Sequence, residues 1–574
     1  MRTRVLLTLV LLSCAAPAED GDDPETASMT DALRPASMAA RSTVYTPRVA
    51  IATSHPLASA AGLMVLQAGG NAIDAAVTAA AVLTVVEPHM VAIGGDMFAM
   101  VWSARDRTLH GLNASGRSGS RMTREALLAG GHEDIPSRGA EAITVPGALS
   151  GYVALLERFG TIPLARALEP AIRIAEEGFP VSPIIASDWD GAEGALGRDD
   201  GARATYLVDG ERAPRAGEWF RNPDYARTLR EIAQRGAGHL YGGALGQRIA
   251  EHVQSLGGFL TPEDFAKHTP EWVEPVSVPY RGYRLWELPP NSQGMAALEM
   301  LRILETYDLE GMGHNSAEYL HTLIEAKKLA YADIEHYVGD PEHMTIPPGT
   351  LLEDAYIADR RARIDPAQAA ERPEPGAAVS ASETIYLSVA DAEGNMVSFI
   401  NSVYSAFGSA VVVPGTGFAL QNRGSGFTME EGRVNTVAPG KRPFHTIIPA
   451  FVTRTTRPTG VLRDAAGEEP WLSFGVMGGA MQPQGHVQVL LNLVVFEMDP
   501  QQAVDAARFR HLSGLRVALE SPVGDDVRRA LEALGHVLAD EANVAFGGAQ
   551  LVMRLERGWA SASDPRKDGL AIGF

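Results

Sequence analysis

A change in sequence texture at residues 383 and 384 constrains the fold of this chain more than any other feature. Upstream lies a spacer rich in proline, alanine and glutamate, "DPAQAAERPEPGAAVSASE", which ends at Glu383. Downstream, the Val-rich segments "TIYLSVA", "MVSFINS" and "SAVVVPGTGFAL" are separated by turn residues and predict a run of strands. A buried sheet is therefore expected to begin at Thr384, directly after a flexible linker.

The hydroxyl of Thr384 at this junction has two interpretations. If the chain cuts itself between Glu383 and Thr384, Thr384 gains a free α-amine beside its own hydroxyl. The amine can then act as a base toward the hydroxyl, which is one route to an activated nucleophile. Alternatively, Thr384 is only a β-branched residue that starts a strand. The junction taken by itself favours the second interpretation.

Long blocks between about Val49 and Phe574 resemble the γ-glutamyltransferase family of N-terminal-nucleophile hydrolases. They keep their order along the chain and include "ATSHPLASAAGLMVLQAGGNAIDAAVTAAAVLTVVEPH", "VPYRGYRLWELPPNSQG", "VVVPGTGFALQNRG", "PGKRPFHTIIPAFV", "VMGGAMQPQGHVQV" and "ASDPRKDG". The resemblance implies an α+β fold, a four-layer αββα sandwich built from two chains after self-cleavage. It also implies a large-subunit region at 46–383 and a small-subunit region at 384–574 that starts at the nucleophile.

The resemblance also implies which residues carry the chemistry. Thr384 would attack the carbonyl of Glu383 during self-cleavage and later the amide of the substrate. Ser402 would hydrogen-bond the nucleophile, and Gly478 and Gly479 would form the oxyanion hole with their N–H groups. The structural alternatives are a polar residue at a strand end for Ser402 and a tight turn for the two glycines.

The residues expected to bind substrate depart from those of true γ-glutamyltransferases. Arg117 aligns with the arginine that grips a substrate carboxylate, although a lone arginine is by default a surface residue. At the remaining recognition positions the chain has Tyr404, Arg423, Gly426, His445 and Thr446. No carboxylate stands at Gly426 to hold an α-ammonium, and Arg423 would repel one. These substitutions resemble the acylase-like branch, which includes cephalosporin acylase-like and oxamate amidohydrolase-like members.

Composition restricts the partners of the protein. The 574 residues carry 49 Lys and Arg against 70 Asp and Glu, a net charge of -21, which argues against nucleic acid or an anionic membrane surface as a partner. With a single cysteine there is no intrachain disulfide and no cysteine zinc cluster, and no histidines have metal-ligand spacing. We expect no cofactor and no metal, a small-molecule amide substrate, and the two subunits of one precursor as each other's partners.

The N-terminus predicts export. Arg2 and Arg4 precede a short apolar run, and the run ends in "LLSC", which resembles a bacterial lipoprotein box at Cys14. Residues 1–14 are then the signal peptide, 15–45 a disordered tether, and the protein a periplasmic one anchored to the outer membrane by lipid on Cys14. The alternative is an ordinary signal peptide that is cut after Ala16 or Ala18.

The pattern upstream of the linker predicts a helical region after an initial strand. The segment Val49–Trp102 predicts the order strand, helix, helix, strand, with Asn71 as an N-cap and Asp74 at the third helical position. Ala75–Val86 is apolar on every side and predicts a buried helix. The segment Pro146–Arg361 predicts mainly helices.

Together these features predict a self-processing amidohydrolase that favours hydrolysis over transpeptidation. One alternative is an authentic γ-glutamyltransferase that acts on glutathione in the periplasm. Another, from a different functional class, is an uncleaved binding protein that keeps the fold without turnover.

Overall fold

A computed structural model describes residues 41–371, 383–455 and 468–574. The predicted signal peptide at 1–14, Cys14 and most of the predicted tether lie outside the described residues. The description of the chain begins at Arg41. Arg41 donates to the carbonyl of Gly569 at 2.7 Å, and the first strand starts at Val44.

The strands are β1 (Val44–Thr46), β2 (Ala50–Thr53), β3 (Asp96–Ser103), β4 (Thr108–Ala114), β5 (Phe179–Pro180), β6 (Trp219–Phe220), β7 (Glu271–Val273), β8 (Val276–Tyr280), β9 (Tyr283–Glu287), β10 (Glu383–Ala390), β11 (Met396–Tyr404), β12 (Ala450–Thr455), β13 (Glu468–Met477), β14 (Phe509–Ser513), β15 (Arg516–Leu519), β16 (Val537–Ala539), β17 (Gly548–Arg554), β18 (Trp559–Ser563) and β19 (Leu570–Gly573).

The helices are α1 (Pro56–Gln67), α2 (Ala72–Val86), α3 (Arg124–Ala129), α4 (Ala148–Phe159), α5 (Leu164–Glu177), α6 (Pro183–Asp190), α7 (Glu193–Leu196), α8 (Asp200–Tyr206), α9 (Pro223–Arg235), α10 (Ala244–Ser255), α11 (Pro262–Lys267), α12 (Gly294–Leu304), α13 (Leu309–Met312), α14 (Ala317–Tyr337), α15 (Asp354–Arg361), α16 (Met481–Val494), α17 (Pro500–Asp505) and α18 (Asp525–Ala533).

Two seven-stranded sheets form the centre of the described chain. One has the strand order β1-β18-β17-β13-β12-β9-β8 and the other β19-β2-β10-β11-β3-β4-β7. All of their strand pairs are antiparallel. The sheets stack face to face, with β10 against β13 and β17, and the hydroxyl of Ser388 donates across the interface to the carbonyl of Ser473 at 3.0 Å.

Helices cover both outer faces of this pair of sheets. On one side α2 packs on β10 and β11, and on the other α16 packs on β13 with α12 beside it. The order helix, sheet, sheet, helix is the four-layer αββα sandwich expected for the chain, and that prediction is confirmed. None of the described helices has both the length and the apolar composition needed to cross a membrane.

The predicted order of elements before β3 is also confirmed. Asn71 caps α2 by accepting from the backbone N–H of Asp74, and the carboxylate of Asp74 accepts from the N–H of Asn71 in return. Every residue of α2 is buried, as its uniformly apolar composition indicated. This helix lies under the sheet that holds Thr384.

The third predicted strand after Thr384 is wrong. Residues 409–420 form a loop with one isolated bridge, between Val412 and Ala419, instead of a strand. Pro414 lacks an N–H for a ladder, and Gly415 and Gly417 both have φ of +76°, which bends the chain out of an extended course. β-branched residues therefore gave a strand signal that the turn residues between them override.

Candidate active site

The pairing of β10 with β11 brings Thr384 and Ser402 together. Glu383 lies opposite Tyr404, and the register shifts between Glu383 and Ile385, which places Thr384 at an irregularity in the ladder. The hydroxyl of Thr384 donates to Oγ of Ser402 at 3.3 Å, and the backbone N–H of Tyr404 donates to the same oxygen at 2.8 Å. The two hydroxyls predicted to act together are therefore in direct contact.

Thr384 is buried while its peptide bond to Glu383 is intact. Its side chain is 1% exposed and Ser402 is fully buried. Gly95, at the entrance to β3, allows this close packing, because a Cβ at that position would collide with the carbonyl oxygen of Ser402. The hydroxyl of Thr384 thus does not face solvent while residues 383 and 384 remain joined.

Gly478 and Gly479 form the turn between β13 and α16. Their φ values are +118° and +59°, a region that glycine adopts without the steric cost of a side chain. Neither N–H has a hydrogen-bond acceptor among the described residues. Because the turn leads into the N-terminus of α16, it is an electropositive place that suits a developing negative charge.

Arg423 is a fully buried cation beside Tyr404. Its guanidinium lies 4.3 Å from the centroid of the Tyr404 ring, and Nη1 donates to Oγ1 of Thr446 at 2.8 Å. Nε and Nη2 have no hydrogen-bond partner within the described chain. Burial lowers the pKa of Arg423 to about 10, which leaves the group charged at neutral pH. Two unpaired donors on a buried cation are suited to binding an anionic group.

The backbone at Tyr404 is held in an unusual conformation. Its φ is +81°, and a non-glycine residue in the left-handed region costs on the order of 1–3 kcal/mol. Residues strained in this way cluster at functional sites. The ring of Tyr404 lies against Arg423 at the end of β11.

Asp96 is the buried centre of the polar network. Its Oδ1 accepts from the N–H groups of Gly116 at 2.9 Å and Gly147 at 3.1 Å and from Nε2 of Gln421 at 3.1 Å, and its Oδ2 lies 3.1 Å from Nε2 of His445. Loss of hydration raises the pKa of Asp96 to about 7, although the charge of Arg423 lowers it in part. Both oxygens of this carboxylate are engaged.

His445 is held as a neutral imidazole. Its Nδ1 accepts from the N–H of Ile447 at 3.3 Å, so Nε2 carries the proton that faces Asp96. Burial, followed by the charges of Arg423 and Arg442, keeps the pKa of His445 well below its usual value. His445 therefore orients Asp96, and its neighbour Thr446 contacts Arg423.

Arg117 lies in a different network. Its Nη1 is 3.0 Å from Asp340 and its Nη2 3.2 Å from Glu342, and Glu271 is 3.7 Å away. A cavity of about 110 Å³ adjoins it, lined also by Lys267, His268 and Arg442. Arg117 is thus already paired with carboxylates, in contrast to Arg423.

Asp96 and Gln293 were not singled out by sequence reasoning. Asp96 follows a pair of glycines in "IGGDMF", and a carboxylate at the start of an otherwise apolar buried strand is a signal that could have been noticed. Gln293 occurs in "NSQG", and its Nε2 donates to the carbonyl oxygens of Thr446 and, at 2.9 Å, of Gly479. Neither of these two hydrogen bonds can be predicted from the sequence.

One set of side chains in the described chain has the types and spacing of metal ligands. His321, Glu325 and His536 each offer an atom within 4.8 Å of the others. Nδ1 of His321 lies 2.9 Å from Nε2 of His536, and Lys328 donates to Glu325 at 2.7 Å. The two facing imidazole nitrogens and the Glu325 oxygen therefore already have partners, while Nδ1 of His536 has none in the described chain. The contact joins α14 to the segment between α18 and β16.

Comparison with known proteins agrees with this geometry. The model of the gamma-glutamyltranspeptidase family matches residues 58–574. The chain is 38% identical to a glutathione hydrolase-like YwrD proenzyme of Bacillus subtilis strain 168, over 91% of this chain and 98% of that protein. It is 35% identical to an acylase ACY 1 proenzyme of Pseudomonas sp. strain SE83, over 96% of both.

A solved structure gives the same result in three dimensions. The cephalosporin acylase from Bacillus halodurans superimposes with a TM-score of 0.87 and 42% sequence identity, covering 94% of this chain and 98% of that one. The family match, the relatives of nearly equal length and the structural superposition all indicate the same family. The chain therefore belongs to the γ-glutamyltranspeptidase family of self-processing amidohydrolases.

Proposed function

We propose that the mature protein hydrolyses amides whose acyl group carries a carboxylate and no amine, with Thr384 as the nucleophile. The observation that carries the proposal is Arg423, a fully buried guanidinium with Nε and Nη2 unpaired among the described residues. A buried cation with free donors is costly unless a ligand completes it. A substrate carboxylate supplies the matching charge and geometry.

Maturation would begin with attack of the Thr384 hydroxyl on the carbonyl carbon of Glu383. The peptide bond between them shifts to an ester, and water hydrolyses the ester to leave a carboxyl group on Glu383 and a free α-amine on Thr384. The contact between Thr384 and Ser402 supports this step, because Ser402 positions the hydroxyl. Cleavage also opens a site in which Thr384 is only 1% exposed.

Turnover would then use the new amine. The α-amine of Thr384 takes the hydroxyl proton as the oxygen attacks the acyl carbon of the substrate, and the N–H groups of Gly478 and Gly479 hold the oxyanion. The proton passes to the departing amine, which leaves an acyl ester on Thr384. Water hydrolyses that ester and restores the enzyme. Two N–H groups in a glycine turn that have no acceptor among the described residues support this assignment.

Arg423 rather than Arg117 would hold the acyl carboxylate. The fork of Arg117 is occupied by Asp340 and Glu342, whereas Arg423 contacts Tyr404 and Thr446 at the end of the strand that bears Ser402. The nearby carboxylate of Asp96 accepts four hydrogen bonds and is not available to an ammonium. An ammonium entering this site would lose its hydration without compensation.

The test compares glutaryl anilide with γ-glutamyl anilide, which differ only in the α-ammonium group. We expect kcat/KM to be about tenfold to a hundredfold higher for the glutaryl compound, the range that one uncompensated buried charge produces. Glycylglycine is expected to stimulate release of the aniline little. A preference for γ-glutamyl anilide with stimulation by glycylglycine would instead favour the alternative of an authentic γ-glutamyltransferase.

A pH dependence follows from Asp96, whose pKa burial raises to about 7. Below that pH the protonated carboxyl leaves the charge of Arg423 uncompensated, and above it the carboxylate offsets that charge. Binding of an anionic acyl group should therefore weaken as pH rises. We expect KM for glutaryl anilide to increase on the order of threefold to tenfold between about pH 6 and about pH 8. Pentanoyl anilide, with a methyl group in place of the carboxylate, is the control and should show a flat KM.

We further propose that Cys14 is lipidated on export, an assignment supported by the "LLSC" pattern alone. Cells expressing the wild type and Cys14→Ser would be labelled with a fatty-acid analogue and fractionated. Label on the wild type only, in the membrane fraction, is the expected result. An unlabelled wild type in the soluble fraction would indicate an ordinary secreted protein.

A further inference from the structure

Gln293 connects the acyl-binding residues to the glycine turn. It is buried at the N-terminus of α12, and its backbone N–H donates to the carbonyl of His445 at 3.0 Å. Its side-chain Nε2 donates to two carbonyl oxygens at once, that of Thr446 and, at 2.9 Å, that of Gly479. Both hydrogens of one amide group thus join two segments that are far apart in sequence.

At one end of this bridge lies the pocket for the acyl carboxylate. Thr446 accepts from Nη1 of Arg423 at 2.8 Å through its hydroxyl while its carbonyl accepts from Gln293. A shift of the guanidinium toward a bound carboxylate therefore acts on Thr446, and through Thr446 on the amide of Gln293. The contacts are continuous from Arg423 to Gln293, and each is a hydrogen bond between buried groups.

At the other end lies the turn that would hold the oxyanion. Two consecutive glycines have many accessible backbone conformations, so the direction of their N–H groups needs an external restraint. Gln293 supplies one by holding the carbonyl of Gly479, which limits ψ of that glycine and so restrains the backbone next to its N–H. Tyr331 and Gln484 supply another, since both donate to the carbonyl of Ala480, but neither is hydrogen-bonded to Arg423 or Thr446 in the described chain.

We propose that Gln293 is a positioning residue that couples recognition of the acyl carboxylate at Arg423 to the geometry of the Gly478–Gly479 turn. The coupling rests on the proposed function of Arg423 and Thr384. If this coupling exists, an acyl group with a carboxylate binds more tightly than one without it. It also reacts with a higher kcat once it is bound. An uncharged acyl group does not bind Arg423, so the hydrogen bonds of Gln293 to Thr446 and Gly479 do not raise its kcat.

A double-mutant cycle on kcat tests the coupling, with Gln293→Met and Arg423→Met measured singly and together on glutaryl and pentanoyl anilides. Gln293→Met should lower kcat on the glutaryl compound by about tenfold or more and on the pentanoyl compound by less. When Arg423 is already methionine, adding Gln293→Met should lower kcat by a similar, small factor on the glutaryl and the pentanoyl compound. Tyr331→Phe is the matched control, and it should lower kcat on both substrates equally.

The rates are expressed per mature small chain, quantified by intact mass. If Gln293→Met does not mature, Gln293→Asn, which keeps the amide on a shorter side chain, replaces it in the same cycle. Equal losses on both substrates, or strictly additive effects with Arg423→Met, would overturn the coupling alone. A wild type that does not prefer glutaryl to pentanoyl anilide would refute the proposed function of Arg423 instead.

Discussion

The Arg423→Met variant is expected to lose about a hundredfold or more of its kcat/KM on glutaryl anilide, while its kcat/KM on pentanoyl anilide changes by less than about threefold. Methionine keeps most of the side-chain volume against the ring of Tyr404 but removes the charge and both unpaired donors. Only the substrate with a carboxylate loses a partner. Steady-state kinetics of one preparation on the two anilides measures the change in selectivity.

Arg117→Met is the matched control for this prediction. Arg117 is bound by Asp340, Glu342 and Glu271, so its loss should leave the ratio of the two kcat/KM values unchanged. It should lower Tm, because Asp340, whose side chain is 1% exposed, loses its cation. If Arg117→Met removes the glutaryl preference and Arg423→Met keeps it, the roles assigned to the two arginines are reversed.

Thr384→Ala is expected to give one uncut chain with no measurable turnover. The substitution removes the hydroxyl that donates to Ser402 and with it the only nucleophile in our account of both maturation and hydrolysis. Ser402→Ala is the graded counterpart. It keeps the nucleophile but removes its hydrogen-bond partner, so it should slow both processes on the order of tenfold to a thousandfold. Denaturing gels and anilide release measure the two effects.

Either of two results would contradict these roles. A Thr384→Ala protein that is still cut at the same bond would place the nucleophile elsewhere. A Ser402→Ala protein that matures and turns over at the wild-type rate would leave Ser402 a structural residue at the end of β11. A wild type that stays uncut would support the alternative of a binding protein with this fold.

Local signals in the sequence were sufficient for much of the fold. The helix α2 could be predicted because its cap, Asn71 with Asp74, and its apolar composition are contained within a single segment. The same holds for β10 and β11, where two short segments with several β-branched and aromatic residues flank the turn "DAEGN". The layer order followed from the resemblance, not from these patterns.

Contacts between distant segments were not accessible to this reasoning. The bridge of Gln293 joins residues 153 and 186 positions away, and Asp96 accepts from His445 across 349 positions. No local periodicity encodes such contacts. For the same reason Arg117 and Arg423 were both expected to bind substrate, with the carboxylate assigned to Arg117. Their difference lies in Asp340 and Glu342, which only the folded chain brings to Arg117.

Trapping the acyl-enzyme tests the central claim most directly. Mature wild type mixed with glutaryl anilide and quenched in acid should show, by intact mass, one added glutaryl group on a small chain that begins at Thr384. Peptide sequencing should then map the group to the hydroxyl of Thr384. Label on any other residue, or a small chain with a different first residue, would contradict the account.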